Sequence, residues 1–497
     1  MSLININNLT FGYEGSYNNI FENVSFNIDT DWKLGLIGRN GKGKTTFLNL
    51  LQGKYKYKGT ISKGVDVDYF PFEVKDKKKL AIEIINDIAP NVQDWEIIKE
   101  LNLLNTDAEI LYRNFNLLSG GEQVKILLIS LFLKGNNFLL IDEPTNHLDI
   151  ETRNNLINYL ERKKGFIVVS HDRNFLDKIV DHIISINNTN IEIQKGNFSS
   201  WKENKERQDN FEMVQNEKLN KDINKLEIAS RNTAKWSNEV EKSKYKTNNS
   251  EKTIDRGYLG HKSAKMMKKS KVMEQQIQKA IDEKAKLLRN IDRNDILKII
   301  PLTNNKTPLI VVNNLQIKYN NKSIFKPISF EVNNGDRIAI IGKNGIGKSS
   351  ILKLILGNNI QYDGKITIVN NIKISYVSQN TEYLKGNLKD FVYNNEIDES
   401  IFKAMLVKMG LSQSDFDTNI QDMSEGQKKK VLIAKSITEQ ANIYIWDEPL
   451  NYIDILTREQ IEDAILKYKP TLIFVEHDET FIEKVSTKII NLKRINS

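Results

Sequence analysis

Cysteine is absent from the chain, which excludes disulfides, iron–sulfur clusters and thiolate zinc sites. Long apolar runs are missing as well. Stretches such as Phe138-Leu139-Leu140-Ile141 are the length of a core strand, far short of the ~20 residues a spanning helix needs. No secretory pattern opens the sequence either: Met1 leads straight into the alternating Leu3-Ile4-Asn5-Ile6. A cytoplasmic protein is the expectation. With 39% hydrophobic residues in 497, the chain can build two or three soluble domains, each with a full core.

Acidic residues are scarce in one place. Between Lys242 and Lys271 there are ten Lys or Arg and two acids, a net +8 that equals the formal charge of the whole chain. A solvated helix face normally mixes signs. A basic block confined to one segment points to a polyanion, and nucleic acid is favoured.

What is present comes twice. The phosphate loop Gly38-Arg39-Asn40-Gly41-Lys42-Gly43-Lys44-Thr45 returns 304 positions later as Gly342-Lys343-Asn344-Gly345-Ile346-Gly347-Lys348-Ser349. Ser119 and Ser424 open a second motif pair, Glu143 and Glu448 end apolar strands, and His171 and His477 close each set, at offsets of 305 or 306. The strand Lys33-Leu34-Gly35-Leu36-Ile37 feeds the first loop and Arg337-Ile338-Ala339-Ile340-Ile341 the second, with a helix pattern after each. Residues 1–200 and 304–497 therefore read as two α/β nucleotide-binding domains. Residues 201–303 lose the strand signals. Leu219, Ile223 and Leu226, then Met273, Ile277 and Ala280, keep a heptad phase around a break near Asn248 and Gly257. That pattern predicts a long antiparallel helical hairpin with the basic block at its tip.

The chemistry follows from residue type. Loop glycines Gly38, Gly41, Gly43, Gly342, Gly345 and Gly347 let backbone N–H groups approach phosphates, beside Asn40 and Asn344. Lys44 and Lys348 reach the β/γ-phosphates, Thr45 and Ser349 suit Mg²⁺, and Thr46 and Ser350 follow in the helix. Asp142 and Asp447 suit the metal, while Glu143 and Glu448 are placed to orient or deprotonate an attacking water. His171 and His477, 28 and 29 residues after those glutamates, are candidates for the γ-phosphate.

The run Leu118-Ser119-Gly120-Gly121-Glu122-Gln123 resembles the signature of ABC ATPases, and the resemblance covers both motif-bearing domains. It implies two ATPs sandwiched head to tail, each between one domain's phosphate loop and the other's signature: Ser119, Gly120, Gly121 and Glu122, or Ser424, Gly426 and Gln427. Tyr13 and Tyr319 fall where that family stacks an aromatic on adenine, and Gln379 falls at its metal-facing glutamine. Tandem domains, a charged hairpin and no membrane span resemble the ABC-F subfamily. Trp446-Asp447-Glu448-Pro449-Leu450-Asn451-Tyr452-Ile453-Asp454 and Gly260-His261-Lys262-Ser263-Ala264-Lys265 are similar to its antibiotic-resistance members, nearest the lincosamide–streptogramin A–pleuromutilin group. The implication is ATP-dependent binding at the ribosomal E site. The hairpin would push toward the peptidyl-transferase centre and displace P-site tRNA and drug. At the tip, Lys242, Lys244, Lys246, Arg256, Lys262, Lys265, Lys268 and Lys269 would meet rRNA phosphates. Tyr245, Tyr258, Leu259 and His261 would stack or wedge against bases.

Departures from the pattern are unequal. Phe72 stands where the second copy has Gln379, Glu425 stands where the first copy has Gly120, and Leu450 and Tyr452 replace Thr145 and His147. Sorted by composite site, Phe72 and Glu425 both fall to the Lys44 site, so the Lys348 site is expected to turn over faster. A carboxylate beside a triphosphate is repulsive unless it points away, which makes the direction of Glu425 decisive. The rival readings are a housekeeping translation factor, a transporter ATPase subunit and a DNA-repair ATPase. The monomer is expected to pair its own two domains.

Overall fold

The computed structural model describes residues 2–15, 19–135, 137–146, 148–187, 189–243, 265, 268, 271–273, 275–280, 297–319 and 322–495. By contacts they fall into two compact units: residues 1–201 with 294–497, and residues 202–293.

In the larger unit each copy is built from a parallel sheet and an antiparallel one. The first parallel sheet has the order Asp66–Phe70, Asn137–Asp142, Phe166–Val169, Lys33–Ile37, His182–Asn187, with Asn190–Lys195 antiparallel at its edge. The second runs Ile374–Val377, Ile443–Asp447, Leu472–Val475, Arg337–Ile341, Lys488–Asn491, all parallel. The strands Phe166–Val169 and Leu472–Val475 are apolar and buried along their whole length, as helices and a second sheet on opposite faces require. Against one face lies the antiparallel sheet of Phe21–Asp29, Leu3–Phe11 and Lys58–Lys63, closing a core with Phe47, Leu48 and Leu51 of the phosphate-loop helix. The other face carries helices that bury Ile97, Leu101, Ile126 and Leu128.

The two copies exchange matching residues across their junction. Ile455 sits in the core of the first copy, and Ile150 packs against that of the second. Each directly follows an aspartate, Asp454 or Asp149, that caps its helix through Thr457 or Thr152 N–H. Arg173 forms a buried pair with Glu462 across the same junction. Asn154 and Asn174 both donate to Glu479.

The smaller unit contains most of one helix, Phe198–Ser243. Leu219, Ile223 and Leu226 are half-buried, whereas Met273 is exposed. Pairs at i,i+4, such as Lys205–Asp209 and Arg207–Glu203, line its surface and add only tenths of a kcal/mol each, about 0.3–0.5. Of the expected tip residues, Lys265 and Lys268 are helical and exposed. Lys244, Tyr245, Lys246, Arg256, Tyr258, Leu259, His261, Lys262 and Lys269 lie outside the described residues, as does the side chain of Lys242.

Candidate nucleotide sites between the two copies

Three adjacent parallel strands end at each candidate site, because the phosphate-loop strand neighbours the histidine strand, which neighbours the carboxylate strand. Carboxyl ends of such sheets are where α/β folds place ligands. The first loop turns into helix Lys44–Leu51 through Gly43 at φ 97°, a left-handed conformation that favours glycine. A Cβ there would lie 2.6 Å from Ile20. Lys44 Nζ donates to Gly38 O at 2.8 Å and Asn40 Oδ1 at 3.1 Å, and Lys348 Nζ donates to Gly342 O at 2.7 Å. Burial lowers both lysine pKa values, opposed by Asp454 and Glu143 at the first site and by Glu448 and Asp149 at the second.

Thr45 donates to Asp142 at 3.2 Å and Ser349 to Asp447 at 3.0 Å, so each hydroxyl–carboxylate pair predicted from sequence is assembled. Burial raises the pKa of both aspartates, that of Asp447 to about 6. Among the described residues no three His, Asp or Glu side chains cluster as a metal cage. One hydroxyl and one carboxylate suit Mg²⁺, which takes its remaining ligands from phosphate oxygens and water. Tyr13 and Tyr319, each about half exposed, hydrogen-bond through their hydroxyls to Thr46 at 2.9 Å and Ser350 at 2.6 Å. Each tyrosine is thereby anchored beside its own phosphate loop.

Residues from one copy reach the phosphate loop of the other. Asn40 Nδ2 donates to Tyr452 O at 2.7 Å, and a Cβ on Gly426 would lie 2.6 Å from that carbonyl and 2.9 Å from Asn40 Nδ2. The second signature therefore sits on the first loop, and only a glycine fits the gap. On the other side Asn344 N–H donates to Asp149 at 3.3 Å, and Lys343 pairs with Glu151 at 2.6 Å. Ser119 accepts from Glu122 N–H and donates to the Glu122 carboxylate at 2.8 Å, while Ser424 makes the equivalent box with Gln427. Glu425 turns toward its own copy, where Thr381 and Lys428 donate to it; these bonds outweigh burial and lower its pKa. Its charge is thus engaged within the second copy.

The two glutamates occupy the same backbone conformation, φ 51° at Glu143 and 47° at Glu448, yet their surroundings differ. Glu448 accepts from Asn451 Nδ2 at 2.7 Å and from Gln379 Nε2 at 2.9 Å, with His477 Nε2 at 3.5 Å. Burial alone would push its pKa up, but His477, Lys348 and Asn451 more than offset this and bring it to about 2. Burial also lowers the His477 pKa, opposed by its contact with Glu448. In the first copy Phe72 holds the position of Gln379, so the amide that reaches Glu448 has no counterpart in sequence. His171 Nε2 is 3.2 Å from Glu143, but neither Glu143 oxygen has a well-formed hydrogen bond. Burial, then the charge of Asp142, raises the Glu143 pKa to about 8.

Two groups of residues at these sites had no place in the motif reading. Arg153 of the first copy donates to His477 O at 2.8 Å and to Asp172 at 2.7 Å. Glu476 accepts from Leu450 N–H at 2.7 Å and His477 N–H at 3.0 Å, and burial raises its pKa to about 7. Overlaying the two copies would have exposed Glu476, because its counterpart is Ser170.

Fold and site together define a tandem P-loop ATPase. The ABC transporter family profile matches residues 21–146 and 325–451. ATP-binding protein Uup of Buchnera aphidicola is 30% identical over 98% of this chain and 80% of its own length. Ribosome protection protein VmlR of Bacillus subtilis is 28% identical over 95% of this chain and 84% of its own. A crystal structure of an archaeal ribosome recycling factor with the ribosomal stalk protein aP1 covers 97% of this chain and 87% of that one, at TM-score 0.61 and 20% identity, a likeness of fold. The chain belongs to the ABC ATPase family, among its ABC-F members. Domains of this family bind ATP and generally require Mg²⁺. No helix among the described residues is long and apolar enough to cross a membrane.

Proposed function

We propose that this protein binds the ribosome in an ATP-dependent manner and protects it from antibiotics. The observation that carries the reading is the pair of cross-copy sites: Tyr452 and Gly426 on the Asn40 loop, Asp149 on the Asn344 loop, all in one chain. Closure of both sites on ATP needs no second subunit, which suits a monomeric cytoplasmic factor better than a transporter component. Similarity to a ribosome protection protein along 95% of the chain supports the ribosome as partner. Residues 1–200 and 304–497 act as the ATP-binding domains and 201–303 as the hairpin linker.

In this reading the loop glycines and Asn40, Asn344, Lys44 and Lys348 hold phosphates. Thr45 with Asp142, and Ser349 with Asp447 and Gln379, hold the metal, which would supply charge neutralisation at the β/γ-phosphates. Glu143 and Glu448 orient water, His171 and His477 face the γ-phosphate, Tyr13 and Tyr319 stack on adenine, and Ser119 and Ser424 cap the opposite nucleotide. Closed sites place the protein in the ribosomal E site. The linker tip, with its +8 block, contacts large-subunit rRNA and displaces P-site tRNA and drug at the peptidyl-transferase centre. The Lys348 site supplies most of the turnover.

Cosedimentation tests the partner. A Glu143→Gln/Glu448→Gln chain, which retains ATP, should pellet with bacterial ribosomes when ATP is present and lose that binding as salt rises. Failure to pellet at low salt with ATP would overturn the ribosome reading.

A further inference from the structure

We infer that Glu476 is a positioning residue that joins the second site's His477 and Glu448 to the first site's phosphate loop. The inference rests on the assignment of His477 and Glu448 to the second nucleotide site.

The path is continuous. One carboxylate oxygen of Glu476 accepts from His477 N–H at 3.0 Å and the other from Leu450 N–H at 2.7 Å. Leu450 leads into Asn451, whose amide holds Glu448 at 2.7 Å, and then into Tyr452, whose carbonyl takes Asn40 Nδ2 at 2.7 Å. Asn40 Oδ1 in turn accepts from Lys44 Nζ at 3.1 Å. Tyr452 has φ 64°, a region that bulky residues rarely adopt, so its carbonyl keeps this direction only while the surrounding contacts impose it. Arg458 grips the same segment from the other side, donating to Leu450 O at 2.9 Å and Ile453 O at 2.9 Å.

The first copy shows that folding does not require a carboxylate here. Its equivalent turn is closed by hydroxyls: Thr145 and Ser170 lie 3.0 Å apart, and Ser170 accepts from Asp172 N–H at 3.1 Å. In the second copy both change together, Thr145 to Leu450 and Ser170 to Glu476. A carboxylate that is 3% exposed costs more to bury than a hydroxyl pair. What it adds is a two-pronged link between the histidine strand and the 450–452 loop. A shift of His477 on meeting the γ-phosphate is carried through Leu450 and Tyr452 to Asn40 and Lys44, so the state of the second site sets the grip of the first. Binding linkage makes the effect reciprocal.

A double-mutant cycle on ATP turnover of the purified full chain tests this. Glu476→Gln removes one of two acceptors, and Asn40→Ala breaks the far end; each should lower kcat/KM about tenfold. If both act on one path, the double variant falls no more than about threefold below the worse single. Independent, multiplying losses would overturn the inference. As a second arm, Leu450→Thr/Glu476→Ser transplants the hydroxyl pair of the first copy. It should restore the wild-type unfolding temperature yet keep the turnover loss. Full recovery of turnover would reduce Glu476 to closing a turn. Glu448→Gln, run alongside, should abolish most turnover; an unchanged rate would overturn the site assignment and the inference with it.

Discussion

Glutamine substitutions at the two equivalent glutamates should change stability in opposite directions. Both carboxylate oxygens of Glu143 are out of solvent without a well-formed hydrogen bond, and its pKa rises from the ordinary 4.5 to about 8. A folded-state pKa above the unfolded one stabilises the fold at pH below 4.5, and that contribution is lost as pH rises through about 8. At about 1.4 kcal/mol per pH unit, the full loss is on the order of 5 kcal/mol, and relaxation of the site reduces it to roughly 2. Glu448 behaves conversely, with a pKa near 2 that gives stability above pH 4.5, lost as pH falls through about 2. Thermal unfolding of the nucleotide-free chain at pH 9 should therefore rise by several degrees in Glu143→Gln, about 2–4 °C per kcal/mol. In Glu448→Gln it should fall, because the new amide group meets the Asn451 and Gln379 donors. At pH 5 the Glu143→Gln gain should largely vanish. Shifts of the same sign for both variants at pH 9 would refute the reasoning.

Other expectations concern single contacts. Phe72→Gln supplies the donor that Gln379 provides in the second copy, and should raise first-site turnover about tenfold when measured in a Glu448→Gln background. An unchanged rate there would remove Phe72 as the cause of the asymmetry. Gly426→Ala places a Cβ 2.6 Å from Tyr452 O in its own copy and 2.9 Å from Asn40 Nδ2 of the other, and should cut turnover more than about tenfold in a steady-state ATPase assay; an unchanged rate would show that this close approach is not needed for turnover. Arg173→Ala leaves buried Glu462 with only Lys484, at 3.5 Å, and should destabilise by about 3 kcal/mol in urea unfolding, with partial recovery in Arg173→Ala/Glu462→Ala.

Much of this was legible in sequence because the chemistry repeats. Lys44 and Lys348, Thr45 with Asp142, and Ser349 with Asp447 stand where strand–loop–helix spacing put them, since backbone geometry fixes such motifs locally. The proposed slower turnover of the first site was legible only in outline, through Phe72. Its physical basis, an unsatisfied Glu143 against a triply approached Glu448, depends on side chains brought together from distant strands. The direction of Glu425 was not legible at all, because Thr381 reaches it from 44 residues away. Arg153 and Glu476 carry no motif; they matter because folding sets one copy's loops against the other, and only the mismatch with Ser170 marks Glu476 in advance.

The central claim is ATP-dependent protection of the ribosome. Its most direct test is drug susceptibility of a sensitive bacterium expressing the chain, set against a Lys44→Ala/Lys348→Ala chain at equal expression. Lincosamide, streptogramin A, pleuromutilin and macrolide are the drugs to compare. Raised resistance to the first three, lost in the double variant, is the predicted result. Unchanged susceptibility in cells whose ribosomes carry the bound protein would contradict it and leave a translation factor that acts without drug.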